Sequence, residues 1–207
     1  MNNIKRITFV FAVSLSLLNC GGGQHLVGDD SIPEVIESIS KDDYNFKNSN
    51  KSVVIFSTTF EGSDALKGGF LYLHSMDDKF NRTVEMWGRE DDARLRINEG
   101  RTSNKIIGKV HVLELKPGEY EFYHYYTRIG DYELSSSSRF YLKFKVEAGE
   151  KSYLGNINIK FGDGGTAGRY RISLNNLKKR DIEVVNKSFV NSKEMSVQTQ
   201  RVHFLAR

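Results

Sequence analysis

From residue 53 onward the chain consists of short runs rich in β-branched and aromatic residues, separated by Gly, Asp and Asn, and in several of these runs hydrophobic and polar positions alternate. The alternation is clearest over 140–146, and it recurs over 157–161 and 170–174. A period of two with one polar side is typical of half-buried strands, and turn residues at roughly every 8 to 15 positions favour an antiparallel sandwich. We predict strands within residues 52–60, 68–76, 83–89, 93–98, 108–115, 119–128, 139–146, 152–161 and 168–174. The expected fold class is mainly β, as a single antiparallel β-sandwich.

Two segments with helical periodicity flank the predicted strands. Residues 31–41 start with a serine and a glutamate at capping-box spacing, and they predict a short N-terminal helix. Its apolar face consists of Ile32, Val35, Ile36 and Ile39. Residues 175–189 place three apolar side chains at helical spacing and predict a short C-terminal helix. Residues 191–207 are polar with a weakly apolar end, which leaves a frayed tail and a late edge strand as alternatives.

The first 19 residues have the features of an export signal. Lys5 and Arg6 precede an apolar run of twelve residues from Ile7 to Leu18. A helix needs about 20 apolar residues to cross a bilayer, so this run is too short for a permanent span. A basic start, a short apolar run and a polar end predict a secretory signal peptide at residues 1–19.

The one cysteine of the chain, Cys20, lies where the apolar run ends. The sequence Leu17-Leu18-Asn19-Cys20 resembles the lipobox of bacterial lipoproteins. The resemblance implies cleavage before Cys20 and attachment of a diacylglycerol thioether, with an N-acyl group, at the new terminus. Two or more acyl chains give stable membrane anchoring. The next residue is Gly21 rather than Asp, which by resemblance to the common sorting rule favours the outer membrane over the inner one.

Composition indicates one domain and argues against nucleic acid as a partner. Removal of Lys5 and Arg6 with the signal lowers the number of basic residues from 30 to 28, against 26 acidic ones. Both signs are interspersed, whereas a nucleic-acid site needs clustered Lys and Arg. Residues 20–30 are rich in glycine and then acidic, so they predict a flexible tether. We expect the sandwich domain with its flanking helices at 31–190 and a C-terminal tail at 191–207.

The segment from Val112 to Phe161 carries a pattern known from other sandwiches. Its stretches LELKPGEYEFYHY and FYLKFKVEAGEKSYLGNINI resemble the prealbumin-like sandwich of carboxypeptidase-regulatory-like domains and of many bacterial lipoproteins. Pro117 presets φ for a turn and Gly118 supplies the next position, so a tight hairpin is expected there, and a second one at 148–150. The resemblance implies a fold and an envelope location. It implies no catalytic residues, because such domains are generally binding, spacing or stability modules.

Two histidines are the strongest candidates for chemistry. In a tight hairpin at Pro117-Gly118, His111 lies opposite His124, with Cβ atoms about 4.5–5.5 Å apart. Two imidazoles that close could share a metal ion or a proton. A zinc site needs at least a third ligand, and the sequence indicates none. We expect histidines that pack or form hydrogen bonds, with no cofactor, and the metal site at His111 and His124 is the alternative.

An aromatic cluster within residues 120–126 is the second candidate. Its members are Tyr120, Phe122, Tyr123, Tyr125 and Tyr126. Alternation along a strand must place some of these rings outward. An exposed tyrosine row beside basic residues could stack on a sugar or a base, whereas ordinary packing on a pleated sheet accounts for the same composition.

No catalytic motif accompanies these candidates in the sequence. Neither a Gly-x-Ser-x-Gly elbow nor a His-Glu-x-x-His pattern is present. We therefore predict a non-catalytic binding or structural module with an unknown protein or glycan partner. Two alternatives stay open, namely an envelope metal-dependent hydrolase that uses His111 and His124, and a surface adhesin.

Overall fold

The computed structural model describes most of the chain beyond residue 50. The described residues are 36, 39, 46, 51–62, 66–87, 96–100, 105–129, 132–135, 140–161, 170–189 and 192–206. By its contacts the chain divides into residues 1–31 and 32–207, and all described residues belong to the second unit. The predicted signal peptide, Cys20 and the predicted tether lie outside the described residues. No helix within the described part is both long enough and apolar enough to cross a membrane.

Strands make up most of the described residues. They are β1 (Ser52–Glu61), β2 (Leu66–Ser75), β3 (Asn81–Trp87), β4 (Arg96–Glu99), β5 (Ile106–Leu115), β6 (Gly118–Ile129), β7 (Tyr132–Ser135), β8 (Tyr141–Val146), β9 (Lys151–Phe161), β10 (Tyr170–Asn175), β11 (Gln198–Thr199) and β12 (His203–Leu205). The α-helix of the described part, α1, spans Lys178–Ser188 and is followed by a short 3-10 helix at Ser192–Glu194.

The strands form two six-stranded sheets. Sheet 1 has the order β10-β9-β1-β5-β4, and β11 also pairs with β9. Sheet 2 has the order β12-β8-β6-β2-β3, and β7 also pairs with β6. The predicted class, a mainly β sandwich, is confirmed at this level and is compatible with a prealbumin-like or immunoglobulin-like domain. Pairing is mixed rather than wholly antiparallel, because β9 runs parallel to β1 and to β11.

Most strands lie where the sequence predicts them, and two short ones do not. The nine predicted runs correspond to β1 to β6 and β8 to β10, whereas β7 and β11 have no predicted counterpart. For the C-terminal segment the edge-strand alternative is correct over His203–Leu205, because β12 pairs with β8. Short strands bury too few side chains to leave a clear periodic pattern.

Both predicted hairpins are wrong, because each turn carries the chain from one sheet to the other. The turn at Pro117-Gly118 connects β5 of sheet 1 to β6 of sheet 2. The turn at 147–150 connects β8 of sheet 2 back to β9 of sheet 1. Gly118 does adopt a positive φ of 154°, and a Cβ there would lie 2.6 Å from Asp77 Oδ2. The turn chemistry is therefore as expected, whereas the pairing that it leads to is not.

The main apolar core lies between the two sheets. In β8, Leu142, Phe144 and Val146 are buried while Lys143 and Lys145 are exposed, as the alternation predicts. Aromatic rings contribute much of this core: Phe56, Phe60, Tyr120, Phe122, Tyr125, Phe140, Phe144 and Phe161. Burial of rings of this size supplies a large share of the stability of a sandwich.

A second, smaller core lies on the outer face of sheet 1, under α1. Val53 and Ile55 of β1 pack there with Val185 of the helix, whereas Val54 and Phe56 face the core between the sheets. Covering on both faces explains why β1 is a nearly continuous apolar run rather than an alternating one. The helix itself lies within the segment for which a C-terminal helix is predicted.

Two residues of the segment 31–41 close one side of the sandwich. The amide of Ile36 donates to Thr83 O of β3 at 2.7 Å, and the amide of Ile39 donates to Val112 O of β5 at 2.7 Å. Backbone hydrogen-bonding groups at the exposed edges of the two sheets are thus partly satisfied. Neither residue is helical, so the predicted N-terminal helix is not confirmed, and the rest of that segment lies outside the described residues.

Gly108 of β5 is expected to tolerate no side chain. It pairs with Thr59 of β1, and a Cβ on Gly108 would lie 2.1 Å from Thr58 O. We expect Gly108→Ala to lower the free energy of unfolding by about 3 kcal/mol, because the two strands must separate. Urea unfolding measures this loss, and Glu114→Ala, an exposed change on the same strand, is the control. Equal midpoints for both variants would contradict the close approach of the strands.

Candidate functional site

His111 lies in the core between the sheets and not at a surface. It pairs with Phe56 on the neighbouring strand β1, and the two rings stack with their centroids 4.6 Å apart. The side chain has no exposed surface. The imidazole is therefore fully buried and has no access to a substrate.

The hydrogen bonds of Thr58 define the tautomer of His111. Thr58 Oγ1 donates its proton to Met86 O at 3.0 Å, so it must accept from His111 Nε2, which lies 2.8 Å away. The Nδ1 atom of His111 has no hydrogen-bond partner within the described part of the chain. We therefore assign the neutral imidazole with its proton on Nε2.

Burial lowers the pKa of His111 well below the ordinary value of 6.5, and the positive charge of Lys109 lowers it further. Desolvation disfavours the charged imidazolium, and no carboxylate is among the groups that shift this pKa. The neutral form is thus favoured at neutral pH. A role in packing and hydrogen bonding, as the sequence led us to expect, agrees with this environment.

The proposed opposition of His111 and His124 is wrong. His124 pairs with Tyr72 of β2, in sheet 2, and its ring contacts Tyr72 at a centroid distance of 5.0 Å on the outer face. The two histidines lie in different sheets because the turn at Pro117-Gly118 does not close a hairpin. Within the described residues, no group of three His, Cys, Asp or Glu side chains could hold a metal ion.

The aromatic cluster of β6 is divided between the core and the surface by a β-bulge. Tyr120, Phe122 and Tyr125 are buried between the sheets. The register shifts between Tyr72 and Leu73, because Tyr72 pairs with His124 and Leu73 pairs with Phe122. Tyr123 is therefore the extra residue of the bulge and has no paired residue on β2. The bulge explains how Tyr123 and its neighbour His124 both contribute to the outer side, which simple alternation excludes.

Four rings form a contiguous surface on the outer side of sheet 2, which we call the aromatic face: Tyr72, His74, Tyr123 and His124. Tyr123 contacts Tyr72 at a centroid distance of 6.1 Å and His74 at 6.4 Å. Tyr123 is 38% exposed, and the other three rings are half-buried. Burial raises the pKa of Tyr72 and of Tyr123, so both phenols stay protonated at neutral pH and can donate hydrogen bonds.

One row of polar side chains crosses the whole of sheet 2 beside these rings. The strand register aligns Asn81, His74, Glu121, Lys143 and His203. His74 Nδ1 donates to Asn81 Oδ1 at 2.9 Å, and Lys143 Nζ lies 3.6 Å from Glu121 Oε2. Five strands spaced about 4.8 Å apart give this row a length of about 19 Å.

A second polar cluster, which the sequence did not reveal, is buried between sheet 1 and α1. Asp181 is fully buried, and its Oδ2 accepts hydrogen bonds from Ser57 Oγ at 2.6 Å and from Tyr153 OH at 2.7 Å. Its Oδ1 accepts from Arg180 Nε at 2.8 Å. Asn156 Nδ2 donates to Ser57 Oγ at 2.8 Å. Both carboxylate oxygens of Asp181 are thus satisfied, as burial of a charge requires.

The buried cluster supports the fold and does not resemble a catalytic centre. The hydroxyl proton of Ser57 is committed to Asp181, and no imidazole contacts Ser57 in the described residues. Burial, followed by the nearby Asp181, raises the pKa of Tyr153, which keeps its phenol protonated as a donor. The available sequence signals were the polar triplet Ser57-Thr58-Thr59 in an apolar strand and an acidic residue in the first helical turn.

Comparison of the chain with protein-family models, with curated proteins and with solved structures found no match.

Proposed function

We propose that this protein is a lipid-anchored module of the bacterial cell envelope that binds a ligand through the aromatic face and catalyses no reaction. The observation that supports binding is the exposure of Tyr123 among half-buried rings with polar tips. The other polar constellations have structural roles, because His111 is enclosed in the core and Asp181 is satisfied beneath α1.

The anchor follows from the sequence at the end of the export signal. Cys20 stands in a lipobox-like context, and the glycine-rich residues 21–30 have the composition of a flexible tether. A tethered module can search a volume near the membrane for its ligand, since tethering raises the local concentration of both. The outer membrane is the proposed site, because Gly21 follows the cysteine.

The hydrolase alternative loses its basis with the correction of the histidine pairing. His111 is buried between the sheets and His124 lies on the outer side of sheet 2, so the two cannot share a metal ion. The adhesin alternative uses the same anchor and the same face, and differs in having a host ligand. Binding of intact cells to host matrix, lost when residues 32–207 are deleted, would favour the adhesin.

Replacement of the lipidated residue is expected to release the protein from the envelope. In Cys20→Ser no thioether can form, so we expect the protein to leave envelope pellets after a carbonate wash, whereas the parent protein stays. Mass spectrometry of the mature N-terminal peptide should show acyl chains on Cys20 of the parent protein.

The control is Gly22→Ser, which changes the tether and keeps the thiol. This variant is expected to stay in the washed pellet like the parent protein. Retention of Cys20→Ser in the pellet, or an unmodified thiol in the parent peptide, would refute the anchoring.

A further inference from the structure

The rings of the aromatic face have the amphipathic character that suits a polyhydroxylated ligand. Tyr72, Tyr123, His74 and His124 each combine an apolar ring with a polar tip. Sugar rings have the complementary construction, with an apolar C–H surface and a rim of hydroxyl groups. Tyr141 extends the set of rings onto β8, where it contacts His203 at a centroid distance of 5.3 Å.

Two charged pairs lie beside these rings, and each combines a cation with a carboxylate, which favours an uncharged ligand. Lys143 lies 3.6 Å from Glu121, and the same lysine lies over the ring of Tyr141 at 5.5 Å from its centroid. Arg128 pairs directly across the strands with Glu133. A polyanion would have to compete with these carboxylates for the cations, and a nucleic-acid site needs unmatched clusters of Lys and Arg.

The length of the polar row favours an extended chain over a compact molecule. The polar row from Asn81 to His203 crosses five strands and is about 19 Å long, which accommodates several sugar units in line. Its side chains provide both donors and acceptors beside the rings, as sugar hydroxyls require.

From these observations we infer that the aromatic face binds an extended, uncharged glycan, with the sugar rings stacked on Tyr123 and Tyr72 and the hydroxyls bonded along the polar row. This inference rests on the proposed binding function and specifies its ligand class. Tyr123 is the anchor of the site because it is the most exposed of the four rings.

The test uses the full-length protein in detergent and a β-1,4-linked hexamer of N-acetylglucosamine as the probe, with calorimetry as the readout. Tyr123→Ala is expected to weaken binding of the hexamer about tenfold, the effect of losing one stacked ring. Leu177→Ala is the control, because Leu177 is 36% exposed, against 38% for Tyr123, and lies at the start of α1, outside sheet 2. Thermal unfolding of both variants verifies that they are folded.

Three results would overturn the inference. They are the absence of binding to the hexamer, equal affinity of Tyr123→Ala and the parent protein, and tighter binding of a thymidine 20-mer than of the hexamer. Release of Cys20→Ser from envelopes is measured separately. Failure of the glycan test alone therefore removes the ligand class and leaves the anchored module intact.

Discussion

Replacing Asp181 by Ala is expected to lower the free energy of unfolding by about 3–5 kcal/mol, as is usual when one member of a buried, charged network is removed. The change leaves the hydroxyls of Ser57 and Tyr153 without their acceptor, and it leaves the guanidinium of Arg180, which lies near Asp181, without its counter-charge. Asn156 still donates to Ser57 and cannot replace the lost acceptor. Urea unfolding at constant m-value measures the loss.

Two further variants separate this network from general effects on the helix. Asp181→Asn keeps the side-chain volume and one acceptor oxygen, so its destabilisation should fall between that of the parent protein and that of the alanine variant. Glu183→Ala removes an exposed carboxylate of the same helix, paired with Lys187 at 2.7 Å, and should leave the midpoint unchanged. A loss in Asp181→Ala no larger than that in Glu183→Ala would show that the buried network does not hold α1 on sheet 1.

The sequence predicts strands best where one face of a sheet is buried and the other is exposed to solvent. β8 is such a case, because its buried and exposed side chains alternate without a break. β1 was also predicted, although from its apolar, β-branched composition, since both of its faces are covered. The position of α1 followed from its helical spacing. The attachment of α1 through Asp181 could not be predicted, because the acceptor role of this carboxylate depends on which donors of sheet 1 lie beneath the helix.

The pairing between strands was harder to predict from the sequence than the strands themselves. Pro117 and Gly118 have the local chemistry of a hairpin turn, and the backbone there does turn. Local turn preferences set φ and ψ and do not choose the neighbouring strand, which the distant packing of β5 on β1 and of β6 on β2 decides. The error in the histidine pairing follows from this single assumption.

The aromatic face was expected only in outline. Alternation correctly indicates that some rings of residues 120–126 must point outward, but counting by two from Tyr123 would place Tyr125 outward as well. The bulge at Tyr123 resets the count, so that Tyr125 is buried and its hydroxyl donates to Tyr170 OH at 2.8 Å. One extra residue in a strand reverses the side of all that follow, and a bulge of this kind has no reliable sequence signal.

Acid is expected to destabilise the protein through His111 more than through an ordinary surface histidine. Its folded pKa lies well below 6.5, so below that pH the unfolded chain binds one more proton than the folded one. Stability is therefore lost as the pH falls through the unfolded pKa, and the loss continues until the folded pKa is reached. Between pH 7.5 and pH 5 the ordinary pKa of the unfolded chain limits the stability lost through this group to at most about 2 kcal/mol. Urea unfolding across that range measures the slope.

The variant His111→Gln isolates this titration from the packing of the core. The amide of Gln can still donate to Thr58 Oγ1 and leaves one acceptor without a partner, as Nδ1 of His111 is in the described structure, but it does not bind a proton in this range. We expect the stability difference between the parent protein and His111→Gln to shift in favour of the variant as the pH falls from 7.5 to 5, by at most about 2 kcal/mol. Thr199→Ala, an exposed change on β11 that removes no titratable group, is the control and should keep the pH profile of the parent protein. A difference between the parent protein and His111→Gln that stays constant with pH would mean that this imidazole takes up its proton over the same pH range in the folded and in the unfolded chain, and that burial does not keep it neutral.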